Sequence, residues 1–395
     1  MNYCANLAWF VYSLKRKQFS EAEFAGFNSM FSEEFTPVPF GQRERHLMQA
    51  NILARIEGHL EFKYPYLYYY FLGQYLADRV HEKETEQVIE ELCDDLHLRD
   101  NANILLFTSH HTKSPVIYER IAVALDKCFV DEPVFDFERD VKLLNELVKS
   151  APSLIYEEES TLHSRARIRE HQDRSKEAAA ESADNMTEIS SAITRLFRGM
   201  EILGQFLKNH YGTTKNPVKD ELIDKLLKSA LRGLHGVTLM FRNDAISLAA
   251  HIERILADGR PDLQPDVVKA SAKKIVFDFI GMVTYAFIQK ASSAVGSTYL
   301  KGNLSSVVER SNSLGYRLIE MSYQLDLPEA IPFTRLRALN KSIEKNVFSQ
   351  ALLSSMAFKH LHLFKVPYKD KQRICEELGI KLQQQLALDH SRRIR

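Results

Sequence analysis

From Glu61 to Ala77 the chain reads EFKYPYLYYYFLGQYLA, six tyrosines and two phenylalanines around a single proline and a single glycine. Pro65 restricts what this stretch can become. Its ring crowds the preceding residue, which drives Tyr64 toward extended backbone. Proline also suits the first turn of a helix, where no amide hydrogen is needed. Ahead of it Leu60, Phe62 and Tyr64 alternate with Glu61 and Lys63, the period-two pattern of a strand. Beyond it Leu67, Tyr70, Phe71 and Gln74 share one side of a helix, and Tyr68, Leu72, Tyr75 and Leu76 another. A helix apolar nearly all round has to be buried between two layers. The stretch therefore reads as a last strand, a proline hinge and a buried aromatic helix. Phe62, Tyr64, Tyr66, Tyr70, Phe71 and Tyr75 are expected to form its structural seam. A ligand cage takes rings from several elements rather than one row, and a membrane anchor needs a polar face that this helix lacks.

The residues upstream fit a unit that ends in this strand. ANLAWFVYSLKRKQ carries Leu7, Phe10, Val11 and Leu14 at helical spacing. Ser20-Glu21-Ala22-Glu23 is a capping box opening a second helix through Phe24, Phe27 and Phe31. Pro37, Pro39 and Gly41 mark a loop, and a third helix is expected from about Gln42 to Ala50. ILARIEGH then supplies a partner strand, with Glu57-Gly58-His59 as the tip of a hairpin. Three short helices and a β-hairpin describe a winged helix, here residues 1–80.

Everything past the hairpin reads helical, in keeping with 15 glycines and 12 prolines in 395 residues. Amphipathic segments include VHEKETEQVIEELCDDLH, SPVIYERIAVALDKCF with its Ser114-Pro115 start, and FERDVKLLNELVKSAP, ended by Pro152. A helical region over 81–155 is followed at 156–188 by a charged stretch with hardly any apolar residue larger than alanine. It reads as an exposed helix or a link. A C-terminal helical domain spans 189–395, broken at GTTKNP, DGRPDLQP, KGN and DLPEAIP. The fold class expected is mainly α: a winged-helix-like unit with a small hairpin, then a multi-helical array.

Catalytic signatures are missing from the sequence. There is no GxxxxGK[ST], GxGxxG, HExxH or GxSxG. Cys4, Cys93, Cys128 and Cys375 lie far apart and read as reduced, buried thiols. His360 and His362 fall on different sides of a helix, and His110-His111 beside a turn, so none reads as a metal ligand. Arg165 and His171 have the spacing of a HEPN-type nuclease but sit in the charged stretch, with no apolar pattern to position them. The chain is expected to be no enzyme and to need no cofactor. Charges balance at 52 against 52, so no global field draws it to nucleic acid or a membrane. Arg43, Arg45 and His46, with Gln42, are candidate nucleic-acid contacts on the third helix, diluted by Glu44. Arg165, Arg167, Arg169 and Arg174 alternate with Glu170, Asp173 and Glu177 as a solvated face does. The longest apolar run, Ile275–Ile288, is shorter than the roughly 20 residues of a bilayer span, and the N-terminus lacks a secretory pattern. A cytoplasmic location is expected.

A winged helix followed at once by Phe62, Tyr64, Tyr66, Tyr70, Phe71, Tyr75, Leu76 and Ala77 resembles the region that follows the nucleotide-binding core in STAND-type P-loop NTPases, which include NACHT and NLR proteins and bacterial antiphage sensors. Glu90-Glu91, NANILLF (101–107) and RGMEILGQFLKN (198–209) continue the likeness. The departure is the ATPase core, for which no motif exists here. The resemblance implies a regulatory or sensing module acting through a protein partner, an NTPase in trans or a sensed protein, in antiphage defence. The alternative is a winged-helix nucleic-acid-binding regulator. The sequence leaves the oligomeric state open.

Overall fold

The computed structural model describes residues 2–35, 37, 39–148, 154–156, 187–243, 245–260 and 262–382. They are mainly helical and form two compact units. One comprises Met1–Lys127 with Phe197–Thr214, the other Cys128–Leu196 with Lys215–Arg395. The expected link at 156–188 falls almost wholly outside the described residues.

The first unit opens with α1 (Asn2–Ser13), α2 (Glu21–Glu34) and α3 (Phe40–Gln49). Ser20 caps α2, with Glu23 returning a bond to the Ser20 amide, so two amides that the first helical turn leaves unpaired are satisfied together. A hairpin follows, β1 (Leu53–Ile56) and β2 (His59–Phe62), antiparallel with Leu53 opposite Phe62 and Ile56 opposite His59. Its tip places Glu57 at φ 49° and Gly58 at φ 83°. Two left-handed residues in succession give the turn whose twist matches the strands, and glycine takes the second without strain. Phe19 joins as a one-residue third strand. Its amide bonds Leu60 O at 2.9 Å, and the Leu60 amide returns a bond to Phe19 O at 2.8 Å. Phe19, Phe24 and Leu60 are thereby sealed in the core.

Tyr64 is extended at φ −126°, ψ 134°, and Pro65 is the first residue of α4 (Pro65–Asp78). This helix packs against α1 and, most extensively, against α6 (Arg99–His111); α5 (Lys83–Asp94) and α7 (Pro115–Lys127) complete the layer behind it. The approach of α4 to α6 is set by Gly73. A methyl group there would sit 2.8 Å from the Thr108 amide nitrogen and 2.9 Å from Phe107 Cβ. The segment 197–214 also belongs to this unit. Helix α9 (Glu188–Asn209) brings Met200, Leu203, Phe206 and Leu207 into its core. Arg198 of α9 donates to the carbonyls of Leu96 and His97, just past the negative end of α5. RGMEILGQFLKN therefore packs with the N-terminal helices rather than with the rest of the C-terminal array.

The second unit holds α8 (Lys142–Leu147), β3 (Ile155–Tyr156), α10 (Asn216–Asn243), α11 (Ala245–Gly259), α12 (Pro265–Ala294), α13 (Lys301–Ser311), α14 (Leu314–Leu325), α15 (Phe333–Ser342), α16 (Val347–Leu363), α17 (Tyr368–Leu378) and β4 (Lys381–Leu382). Helix α12 is the hub, packed on α10, α11, α14 and α16 through Val276, Phe277, Ile280, Phe287 and Ile288. The apolar run Ile275–Ile288 is extended by alanines and serines into a helix of 30 residues. By length and composition alone α12 could cross a membrane. Here much of it is buried among neighbouring helices, as the central helix of a helical array must be. β3 and β4 form a two-residue parallel pair, Ile155 opposite Lys381, that the sequence pattern did not announce.

Three local expectations are corrected. Gly41 lies inside α3 rather than in the loop before it. Lys301–Asn303 form the first turn of α13, where Asn303 Nδ2 bonds Asp220 Oδ1 at 2.6 Å, so KGN is no break. In FERDVKLLNELVKSAP only Lys142–Leu147 is helical among the described residues. Asp136 Oδ1 takes the amides of Glu138 and Arg139, and Asp140 Oδ2 takes that of Asp136, turning the chain before the helix can start.

Gly73→Ala is expected to lower stability by about 1–3 kcal/mol, because its methyl meets backbone that cannot move alone. Gly26→Ala in α2, where nothing lies within 4 Å, is the control and should raise stability by about 0.5–1 kcal/mol. Urea unfolding of the two variants checks the contrast; equal effects would contradict it.

Candidate functional site

The aromatic helix divides its rings between packing and solvent. Phe62 and Phe71 are 6% and 5% exposed, with centroids 6.2 Å apart, and Phe62 also meets Tyr68 at 5.8 Å. Tyr70 makes steeply angled, T-shaped ring contacts with Phe107 and His111 of α6. Tyr75 stacks flat on Trp9 at 4.7 Å and 8°, and Trp9 on Tyr12 at 5.6 Å. Arg79 lies over Tyr75 and Lys15 over Tyr12, so three stacked rings carry a cation at each end. Tyr69, absent from the expected seam, donates to Asp100 Oδ1 at 2.5 Å, and Lys17 pairs with the other carboxylate oxygen. Tyr64 and Tyr66 correct the expectation: they are 42% and 55% exposed and stack on each other at 5.4 Å and 10°. They flank the proline, where the backbone has not yet reached α6.

Replacing Phe71 by alanine should cost about 3–5 kcal/mol. Tyr64→Ala and Tyr66→Ala should each stay within about 0.5 kcal/mol. Thermal unfolding ranks the three, and a Tyr64 or Tyr66 effect as large as that of Phe71 would refute this division of roles.

Helix α3 presents the more open chemistry. Gln42, Arg45, His46 and Gln49 are exposed along one face and, with Pro39 and Gly41, line a shallow groove. Arg45 Nε bonds the Gly41 carbonyl at 3.1 Å, which steadies its stem on the helix. Glu44 is turned away from this face and bridges to Arg55 at 2.7 Å. Arg43 does not belong to the face either. Its guanidinium lies 4.0 Å from the centre of the Tyr3 ring and within reach of Phe31, a packing role that removes it from the candidate contacts. Beside the C-terminal end of α3, Lys63 bonds Asn51 Oδ1 at 2.5 Å.

The remaining ionisable groups are tied into the framework. All four cysteines are free and buried, and burial pushes Cys128 and Cys375 up to about 11. In the second unit His235 Nδ1 lies 2.7 Å from Glu132, and its other nitrogen 4.0 Å from Asp140, which pairs with Arg242 at 3.2 Å. This network fastens the segment before α8 onto α10. No sequence pattern signals it, because Glu132 and His235 stand 103 residues apart. Among the described residues no group of three or more His, Cys, Asp and Glu could hold a metal ion. Arg165, Arg167, Arg169, His171 and Arg174 lie outside the described residues.

His110 and His111 end α6, and His110 bonds Asn209 of the returning segment at 2.7 Å. Burial lowers both imidazoles below their ordinary range, and His111 and His210 lower His110 further. His360, 2.6 Å from Leu325 O, is lowered by burial too. The folded chain thus favours neutral rings. Their contribution is complete above about pH 6.5, the unfolded value, and is lost as pH falls below it. The urea midpoint should drop between about pH 7 and about pH 5, less steeply in a His110→Gln/His111→Gln variant. An identical slope in parent and variant would contradict this assignment.

Comparison with known families adds one match. Residues 17–72 match the family described as Novel STAND NTPase 4, a stretch that runs from before α2, through α3 and the hairpin, into α4. The chain is thereby related to STAND NTPases over this part of the first unit. No curated protein and no solved structure matches the chain.

Proposed function

We propose that this chain is a non-enzymatic regulatory module of a STAND-type signalling system, working in the cytoplasm through protein contacts with an NTPase supplied in trans. The observation that carries this reading is where the family match falls: on α2, α3 and the hairpin, and into the aromatic helix α4. A part that regulates an NTPase needs an uncommitted face for its partner, and the α3 face of Gln42, Arg45, His46 and Gln49 is one. Arginine suits such a contact, since its planar fork makes two hydrogen bonds at once to a carboxylate. The helices of the second unit add surface for a sensed protein, and antiphage defence is the setting in which such modules are expected.

Proximity labelling from this chain in its own host should recover a P-loop NTPase. The Arg45→Glu/His46→Glu variant should lose that labelling while keeping its melting temperature. Hydrolysis of ATP by the purified chain alone, or labelling unchanged by the substitutions, would overturn the proposal.

The second reading is a nucleic-acid-binding regulator. It is favoured by one observation: the exposed face of α3 holds an arginine, a histidine and two glutamines and no carboxylate. Duplex binding that tightens as salt is lowered and is lost in Arg45→Ala would support it. No binding at low salt would end it.

A further inference from the structure

The last turn of α6 is held from two sides through histidines. On one side His111 lies against α4, its ring centroid 4.7 Å from that of Tyr70, with the Tyr70 backbone as a hydrogen-bond partner. The returning segment closes the other side. His210 Nε2 lies 2.9 Å from the Ser109 carbonyl and donates to it, and Asn209 Nδ2 lies 2.7 Å from His110 Nδ1. His210 is buried and packs its ring against Phe206. Three imidazoles, two from α6 and one from the turn after α9, therefore meet at one helix end.

This arrangement suits neutral rings. His111 Nε2 is shut off from solvent and has no hydrogen-bond partner. In the neutral ring that nitrogen can keep its lone pair; the imidazolium must place a charged N–H there, with neither acceptor nor water. At His110 the Asn209 amide donates to Nδ1, and a proton on that nitrogen would oppose it unless the amide turned over. Among the charges facing the cluster, Asp78 of α4 draws His111 toward the charged form, while His111 and His210 repel a charge on His110. Burial is the larger effect at both rings and holds them below the ordinary imidazole range. The negative end of α6 also favours a cation in its last turn, but that attraction is smaller than the loss of both water and acceptor at a sealed nitrogen.

We propose that this end of α6 is an acid-operated clamp: neutral His110 and His111 hold the turn His210–Thr214 and the Tyr70 side of α4 against it, and their protonation releases that turn while α2 and the hairpin stay folded. The folded clamp favours neutral rings, so it is closed above about pH 6.5 and opens as pH falls through the lower values the two rings have in the fold. The clamp is independent of the α3 face and of the reading proposed for it.

Hydrogen exchange of the full chain at about pH 7.5 and about pH 5 tests this, read as protection factors so that the intrinsic effect of pH on exchange drops out. The amides of Thr112, His210, Thr213 and Thr214 bond within the two clamped ends. They should lose about tenfold in protection at the lower pH, the effect of one pKa unit, and exchange well ahead of Phe24 in α2, as local opening requires. In His110→Gln/His111→Gln the loss should shrink to about threefold or less, because neither side chain can take up a proton. If that variant does not fold, the imidazole resonances of the parent make the test, and His111 should titrate below about pH 6.5. Equal protection at the two pH values, the same loss in variant and parent, or titration of His111 at or above about pH 6.5 would each overturn the proposal.

Discussion

Where α4 crosses α6 the two helices meet backbone to backbone, because Gly73 leaves no side chain to hold them apart. The first unit is arranged around that crossing. It fixes the depth at which Phe71 and Leu72 are buried and brings Tyr70 into ring contact with Phe107 and His111. It holds the aromatic helix where Tyr75 can stack on Trp9 of α1, while Phe62 carries the same packing back into the hairpin. Hairpin, helices and returning segment thus pack as one compact unit.

Much of this was legible in the sequence, for identifiable reasons. Pro65 announced both the end of the extended segment and the first turn of α4, since a proline ring restricts both neighbours whatever the tertiary context. Ser20 and Glu23 announced α2 because a capping box is a local device. The turn at Glu57-Gly58 followed from the need for positive φ. What stayed hidden was non-local. Phe19 as a third strand depends on Leu60, and the place of Arg198 depends on carbonyls a hundred residues away. Burial around the helix also misled: apolarity on all sides suggested uniform enclosure, yet Tyr64 and Tyr66 stay in solvent because they flank the hinge, ahead of the crossing. Arg43 shows the converse, a basic residue that looked available and packs on Tyr3.

The same contrast shapes the surface of the first unit. The residues richest in aromatic character form the interior, and the exposed α3 face is polar and modest in charge. The relation to STAND NTPases over residues 17–72 falls on the part of the molecule that joins these two features. The second unit, built on α12, contributes a different kind of surface, a groove between α12 and α16 lined mainly by apolar side chains.

The central claim is that the α4–α6 crossing holds the first unit together. Native-state hydrogen exchange tests it most directly, since amides that open only on global unfolding share the highest protection. We expect Tyr68–Ala77 and Ala102–Ser109 to exchange slowest in the unit and to lose protection together as urea is added. Exchange of α4 well ahead of α2 and α7, with α6 still protected, would show that the aromatic helix is a cover on the unit and not its seam.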